Sequence, residues 1–376
     1  MKPKVAIVCD FLTKFGGAQQ VLLSMSEIFP EAPIYCLLYD EEGTLGKFKK
    51  ADIHPSSLQK KPKFLRNRLK FLLSSFPKAI EEFNLSEYDI VISSNDSFAH
   101  GVITKPTTFH ACYCHTPMRY AWDWSHEYLK ENHTERGLKG FFARKLIHNI
   151  RIWDRVSAER VDAWIANSEN VSSRIQKYYR HSSEVIYPPI NTENIKPNNL
   201  KPEDFYFIVS RIEPYKKIDL AVQAFNQSGR KLVIAGEGSQ LEYLRSIAKA
   251  NISFVGPKYG QDLYQYFQRT KAFVFPGEDD FGITPVEAMA AGRPVIAYKK
   301  GGTLETITEN KTGLFFDEQT PESLNQAVDN LEQKYENFTP ENCRNQAIKF
   351  STETFKTKLE KFVLSGYEKH LNEMSK

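Results

Sequence analysis

Ala272-Phe-Val-Phe-Pro-Gly-Glu-Asp-Asp-Phe-Gly-Ile-Thr-Pro-Val-Glu-Ala-Met-Ala-Ala-Gly-Arg-Pro-Val-Ile-Ala297 holds one complete architectural unit. The apolar run 272–275 reads as a buried strand, and Pro276-Gly277 ends it. Thr284 suits an N-cap and Pro285 a first helical position. Glu287 stands three residues after Thr284, and Gly292 follows the last helical residue. A second buried strand begins at Val295. Strand, loop, short helix and strand in this order make a parallel βαβ crossover.

The same alternation extends in both directions. Upstream of residue 190, strands are expected near Val5–Cys9, Pro33–Leu37, Ile90–Ser93, Phe109–Cys114 and Ala163–Asn167. Downstream they are expected at Phe205–Val209, Lys231–Ala235, Ile252–Val255, Ala272–Phe275, Val295–Ala297 and Gly313–Phe316. The polar, proline-marked segment from Tyr187 to Asp204 continues neither element and reads as a linker. A chain of 376 residues exceeds one ordinary core. The expectation is therefore an α/β protein of two Rossmann-like domains, residues 1–190 and 191–351, with a long helix over 352–376 completing the first. Ligands of such sheets gather beyond the carboxyl ends of the strands, so two of them facing each other predict one deep cleft.

Composition narrows the function. With 41% hydrophobic and 26% charged residues the chain is globular, and a net charge of +4 is too small to imply nucleic-acid binding. The cations are nevertheless clustered. The stretches 47–72 and 139–155 interleave Lys and Arg with Phe, Leu and Ile, a pattern that suits either a solvated helix face or an anionic membrane surface. Five cysteines, with an opening apolar run Lys4–Cys9 too short for a signal-peptide core, lead to the expectation of no disulfide framework and a reduced cytoplasm. Cys112 and Cys114 flank Tyr113 in a buried strand and read as core residues. No apolar run approaches the length of a membrane span, so membrane contact is expected to be peripheral.

Chemistry is concentrated in the loops. The backbone amides of Phe281, Gly282, Ile283 and Thr284 precede a helix N-terminus, which favours an anion. Asp279 and Glu287 can converge on a polyhydroxyl ligand such as a sugar or ribose, although a capping box alone would also account for Glu287. Ser210-Arg-Ile-Glu-Pro-Tyr-Lys216 places Arg211 and Lys216 at another strand end, two cations that suit an anion, although surface charge at a strand end would also account for them. Gly236-Glu-Gly238 is a weak signal that a tight turn explains equally well.

The acid-x7-acid spacing of Asp279 and Glu287, with Arg211 and Lys216 as an Arg-x4-Lys element, resembles the retaining glycosyltransferases of family 4 over nearly the whole chain. The resemblance implies a nucleotide-sugar donor and no metal or cofactor. Asp279 would touch the donor sugar and Glu287 the ribose, with the amides of Phe281 to Thr284 on sugar and diphosphate oxygens. The family usually has Glu where Asp279 stands, and Glu278 is the alternative for that role. Phe15-Gly-Gly-Ala18 resembles the family's loop that turns amides, here of Gly16 and Gly17, toward the diphosphate. Lys258 is expected on the base or ribose, and Gly301-Gly302 with Glu305 fits the family spacing.

His115 matches the histidine beside the reacting sugar. The run Thr116-Pro-Met-Arg119 and Tyr120-Ala-Trp-Asp123 is similar to bacterial O-antigen mannosyltransferases, which implies mannose from GDP-mannose. The basic stretches motivate a glycan or polyprenyl-linked glycan acceptor at the inner face of the cytoplasmic membrane, and the cysteines a cytoplasmic setting. Alternatives on the same fold are a UDP-sugar donor, a nucleotide-sugar epimerase, a phosphorylase, or a non-catalytic nucleotide-sugar binder.

Overall fold

The computed structural model describes residues 3–66, 68–131, 134, 136–198 and 201–375. Asn67, inside the basic stretch 47–72, and Asn199 and Leu200, inside the polar linker segment, lie outside them. Residues 1–187 with 355–376 form one compact unit, and 188–354 form another.

The first unit is built on seven strands: β1 (Val5–Leu12), β2 (Ile34–Tyr39), β3 (Ile53–Pro55), β4 (Ile90–Asn95), β5 (Phe109–Cys114), β6 (Ala163–Ala166) and β7 (Ser183–Val185). They lie in the order β3-β2-β1-β4-β5-β6-β7, every neighbouring pair parallel. The central strands are apolar on both faces because helices cover both. On one face Ile7, Cys9, Ile90 and Tyr113 pack with Val21, Leu22 and Met25 of the helix Gly17–Ile28 and with Phe355, Leu359 and Val363 of the final helix, Thr352–Met374. On the other, Ala6, Val8 and Val91 pack with Leu72, Phe76, Ala79, Ile80 and Ile150.

The second unit repeats the plan with six parallel strands: β8 (Tyr206–Val209), β9 (Leu232–Ala235), β10 (Ile252–Gly256), β11 (Ala272–Phe275), β12 (Val295–Tyr298) and β13 (Gly313–Phe316), in the order β10-β9-β8-β11-β12-β13. Counted from its own first strand, each sheet runs 3-2-1-4-5-6, with one further edge strand in the first unit. Both are therefore Rossmann-like, and in each the strand order reverses direction at one place: between β1 and β4, and between β8 and β11. Loops leaving neighbouring strands diverge there and open a crevice for a ligand.

Every strand expected from sequence is present. β3 and β7, three residues each at the sheet edges, were not expected, because their side chains are half-buried or exposed and carry no apolar signature.

One helix start requires correction. The helix after β11 runs Ile283–Ala290, its N-cap is Gly282, and no side chain caps it. Thr284 is thus inside the helix and not its cap. Gly282 has φ +87°, a conformation that admits glycine with little strain and sends the chain into the helix two residues earlier. The capping-box reading of Glu287 falls with it.

Among the described residues no helix is long and apolar enough to cross a membrane. All five cysteines are buried and unpaired, Cys112 and Cys114 in β5 as expected.

Candidate active site

The crossover of the second sheet brings together loops that are 63 residues apart in sequence. The loop leaving β8 makes a short turn, Pro214–Lys216, before the helix Ile218–Ser228. Lys217, which caps that helix, adopts a left-handed backbone (φ 53°), an uncommon state for a residue with a β-carbon. The turn carries Lys216 to the loop leaving β11, where its Nζ lies 2.7 and 2.6 Å from the two carboxylate oxygens of Asp279. Glu278 points elsewhere, to Nζ of Lys300 at 3.0 Å. The two adjacent acids therefore have different partners. Arg211, on the same loop as Lys216, stays exposed and donates to the Tyr215 hydroxyl at 2.9 Å.

Close backbone packing fixes these loops. A β-carbon on Gly236 would lie 1.9 Å from the carbonyl oxygen of Ser210, and one on Gly302 would lie 2.3 Å from Cα of Phe281. The Gly-x-Gly after β9 is thus a packing device for the loop that carries Arg211. The Gly301-Gly302 pair does the same for the loop that carries Asp279, and the Gly302 amide donates to the Asp279 carbonyl at 3.0 Å.

Glu287 lies one turn into the helix Ile283–Ala290 and is only 8% exposed. Its carboxylate takes no hydrogen bond or ion pair among the described residues, and burial pushes its pKa up to about 7. A buried acid without a partner costs stability unless a ligand supplies one. Phe281 is buried, edge-on to Phe350 with 5.5 Å between ring centroids, and steadies the turn whose amides continue through Gly282, Ile283 and Thr284. Lys258 follows β10, the outermost strand, two strands from the β8–β11 boundary, and no contact joins it to the other candidates among the described residues.

In the first unit the matching crossover lies between β1 and β4. Gly16 is the N-cap of the helix Gly17–Ile28, with no side chain occupying its first amides. Beside it a small cavity is lined by Asp10, Gln19, Ser94 and Asp96 among others. Asp10 accepts four backbone N–H bonds from Asp96, Ser97, Phe98 and Ala99 at 2.6–3.0 Å, which locks the turn after β4. Burial and the Asp96 charge push the Asp10 carboxyl up to about 7, against the pull of those amides.

His115 directly follows β5. Its Nε2 lies 2.9 Å from Ser94 Oγ, its amide donates to the Asn95 carbonyl, and its carbonyl accepts from Asn167. Burial pulls its pKa down to about 4, so the ring is neutral near pH 7. Ser94, Asp10 and Asn167 were missed by sequence reasoning. Each acts across 50 or more residues or, for Ser94, across 21, and only Asp10, a lone acid ending an apolar run, carried any local signal.

Residues 15–194 match the family model described as Glycosyltransferase Family 4, and residues 190–350 match that described as Glycosyl transferases group 1. Among curated relatives, the alpha-1,3/1,6-mannosyltransferase of Dictyostelium discoideum is 28% identical over 214 residues, covering 44% of this chain and 51% of that protein. A GDP-mannose-dependent alpha-mannosyltransferase of Mycobacterium tuberculosis is 33% identical over 122 residues, 31% of this chain and 32% of that one. The chain thus spans about half or less of the curated relatives it matches.

Among solved structures, sucrose-phosphate synthase of Thermosynechococcus elongatus superposes with TM-score 0.73 at 16% identity, covering 96% of this chain and 98% of that one. HepE of Anabaena, in complex with UDP and glucose, superposes with TM-score 0.70 at 16% identity, covering 96% and 100%. These likenesses establish a shared fold, the two-Rossmann GT-B type.

Proposed function

We infer the reaction from one premise: this chain belongs to glycosyltransferase family 4, residues 15–194 matching that family's model and residues 190–350 the model of glycosyl transferases group 1. The activity we propose is transfer of a hexose, with retained anomeric configuration, from a nucleotide-sugar to a glycan or lipid-linked glycan acceptor. The observation that carries this reading is the Lys216–Asp279 pair at the β8–β11 crossover, with Arg211 on the same loop and the unpartnered Glu287 eight residues beyond Asp279.

In this reading the donor diphosphate takes Lys216, Arg211 and the amides of Phe281, Gly282, Ile283 and Thr284. Glu287 accepts hydrogen bonds from the ribose hydroxyls. Asp279, released from Lys216, turns to the sugar. The leaving phosphate oxygen takes the acceptor proton while the cations and amides stabilise its charge. In the first unit, the proposed anion-binding groups are the amides of Gly16 and Gly17 at the start of the helix Gly17–Ile28. His115, neutral and held at Nε2 by Ser94, is the proposed group for orienting a sugar hydroxyl. Lys258 contacts base or ribose.

We propose no metal. Asp279 and Glu278 are engaged by separate lysines, and fixed cations can do an ion's electrostatic work. Turnover that survives EDTA supports this; strict dependence on added magnesium or manganese overturns it.

The proposed donor is GDP-mannose, favoured by the names of the mannosyltransferase relatives and by the run Thr116–Asp123. A UDP-sugar is the second reading, favoured by the fold shared with a protein solved with UDP and glucose. The proposed setting is bacterial polysaccharide or O-antigen assembly at the inner face of the cytoplasmic membrane, with peripheral membrane contact through 47–72 and 139–155. Five unpaired cysteines fit a reducing compartment.

Thermal shift with GDP, GDP-mannose, UDP and UDP-glucose tests the donor. GDP-mannose is expected to raise Tm of the wild type and to have no effect on Lys216→Ala/Glu287→Ala. No stabilisation by any of the four, or equal stabilisation of the variant, would sink the reading. Product analysis separates the rivals: an epimerase turns over without acceptor, and a phosphorylase releases sugar phosphate.

A further inference from the structure

The helix Gly137–Ser157 has two apolar faces, where packing requires only one. Its inner face buries Gly140, Ile147, Ile150, Asp154 and Ser157. At 100° per residue, Leu138, Phe141, Phe142, Ile152 and Val156 fall together on the opposite side, and all are more than half exposed, Leu138 to 79%. A second exposed pair, Phe64 at 65% and Phe71 at 68%, stands on the segment 60–71 among the exposed cations Lys60, Lys61, Lys63, Arg68 and Lys70.

These two segments share one side of the first unit. Leu72 and Ile150 enter the same core cluster on one face of the seven-stranded sheet, together with Leu69, Leu146 and Trp153. Trp153 Nε1 donates to Glu81 at 2.9 Å, tying the long helix to the short helix Phe76–Glu81 that follows the basic segment.

Within the two segments themselves charge is one-signed, Glu81 and Glu82 standing just past the end of the first. No Asp or Glu occurs from Ile53 to Ile80 or from Arg136 to Trp153, although the chain carries 46 acidic residues against 50 basic ones. Exposed Lys145 and Asn149 lie on the same outer arc, between Phe142 and Ile152, and exposed Arg136 and Lys139 stand at the start of the helix.

We propose that this side of the first unit is a docking face for an anionic lipid surface. Lysines and arginines take the headgroup charges, and Phe64, Phe71, Leu138, Phe141 and Phe142 enter the boundary between headgroups and acyl chains. The inference deepens the membrane part of the reading above and narrows it. The first residues of the stretch 47–72 are not part of the face, since Phe48 is buried and Lys49 pairs with Glu41 at 3.8 Å.

A second copy of the chain is the poorer occupant, because self-association would set cation against cation with no acid in either segment to pair them. Nucleic acid is poorer too. The rings of Phe64, Phe71, Phe141 and Phe142 could stack on bases but Leu138, Ile152 and Val156 could not, whereas an acyl boundary accepts all seven.

The test is flotation of the full chain with vesicles of phosphatidylcholine alone and with added phosphatidylglycerol, at low and high salt. Binding is expected only to the anionic vesicles. Phe64→Ser/Phe71→Ser/Phe141→Ser/Phe142→Ser should weaken the partition by about tenfold or more even at low salt. Lys60→Glu/Lys61→Glu/Lys63→Glu should abolish it.

The substituted side chains are exposed, and circular dichroism with Tm confirms folding. If the wild type ignores anionic vesicles at low salt, or the four-serine variant binds as wild type does, the proposal is overturned. So it is if light scattering shows a dimer that the serine variant dissociates, or if duplex DNA displaces the protein from the vesicles. Thermal shift with GDP-mannose on the same samples keeps the two readings apart. Donor binding without vesicle binding sinks this proposal alone, and vesicle binding without donor binding sinks the donor assignment alone.

Discussion

Glu287 combines burial, the absence of a hydrogen-bonding partner and a pKa raised to about 7. Ribose hydroxyls would donate to its ionised form, so a bound nucleotide-sugar lowers that pKa and releases a proton. Affinity must then rise with pH up to and through 7 and level off above, by at most about tenfold per pH unit. Calorimetric titration with GDP-mannose from pH 6 to 8 reads this directly, because its diphosphate diester does not itself titrate there. Glu287→Gln should give a flat, weak profile. A wild-type profile that is equally flat would refute the ribose role. At this scale the sequence yielded the acids and cations but not their partners. That Lys216 takes Asp279 while Lys300 takes Glu278 depends on where separate loops meet, which spacing does not encode.

Among the elements, loops at the carboxyl ends of β8, β9, β11 and β12 are held by backbone contacts that leave no room for a methyl group. Gly302→Ala puts its β-carbon 2.4 Å from the Asp280 carbonyl oxygen, so the loop carrying Asp279 must shift. We expect this variant to remain folded, with GDP-mannose affinity reduced about tenfold or more. Unchanged affinity in the same calorimetric assay would show that the loop has slack. The principal strands were legible because parallel strands covered on both faces are continuous apolar runs, Ala272–Phe275 being a clear case. The edges β3 and β7 were not, having no buried face to advertise. The helix at Ile283 was placed late because Thr-Pro is a strong start signal, and a left-handed glycine overrode it.

For the molecule as a whole, two parallel sheets were legible from alternation alone, whereas their strand order came only with the structure, and the distribution of thiols follows from that architecture. All five cysteines are buried, and burial pushes up the thiols of Cys9, Cys112, Cys114 and, to about 12, Cys343. Native protein should therefore react with DTNB far more slowly than unfolded protein, which should release five equivalents. Fast reaction of even one native thiol would contradict the packing described.

The final helix adds a constraint on the order of synthesis. Phe355, Leu359 and Val363 complete a cluster begun by Ile7 and Val21, so the unit that leaves the ribosome first is finished last. Residues 188–354 have all their own strands before that closure is possible. Until Phe355, Leu359 and Val363 emerge, the nascent first sheet shows an uncovered apolar strip on which a chaperone would bind.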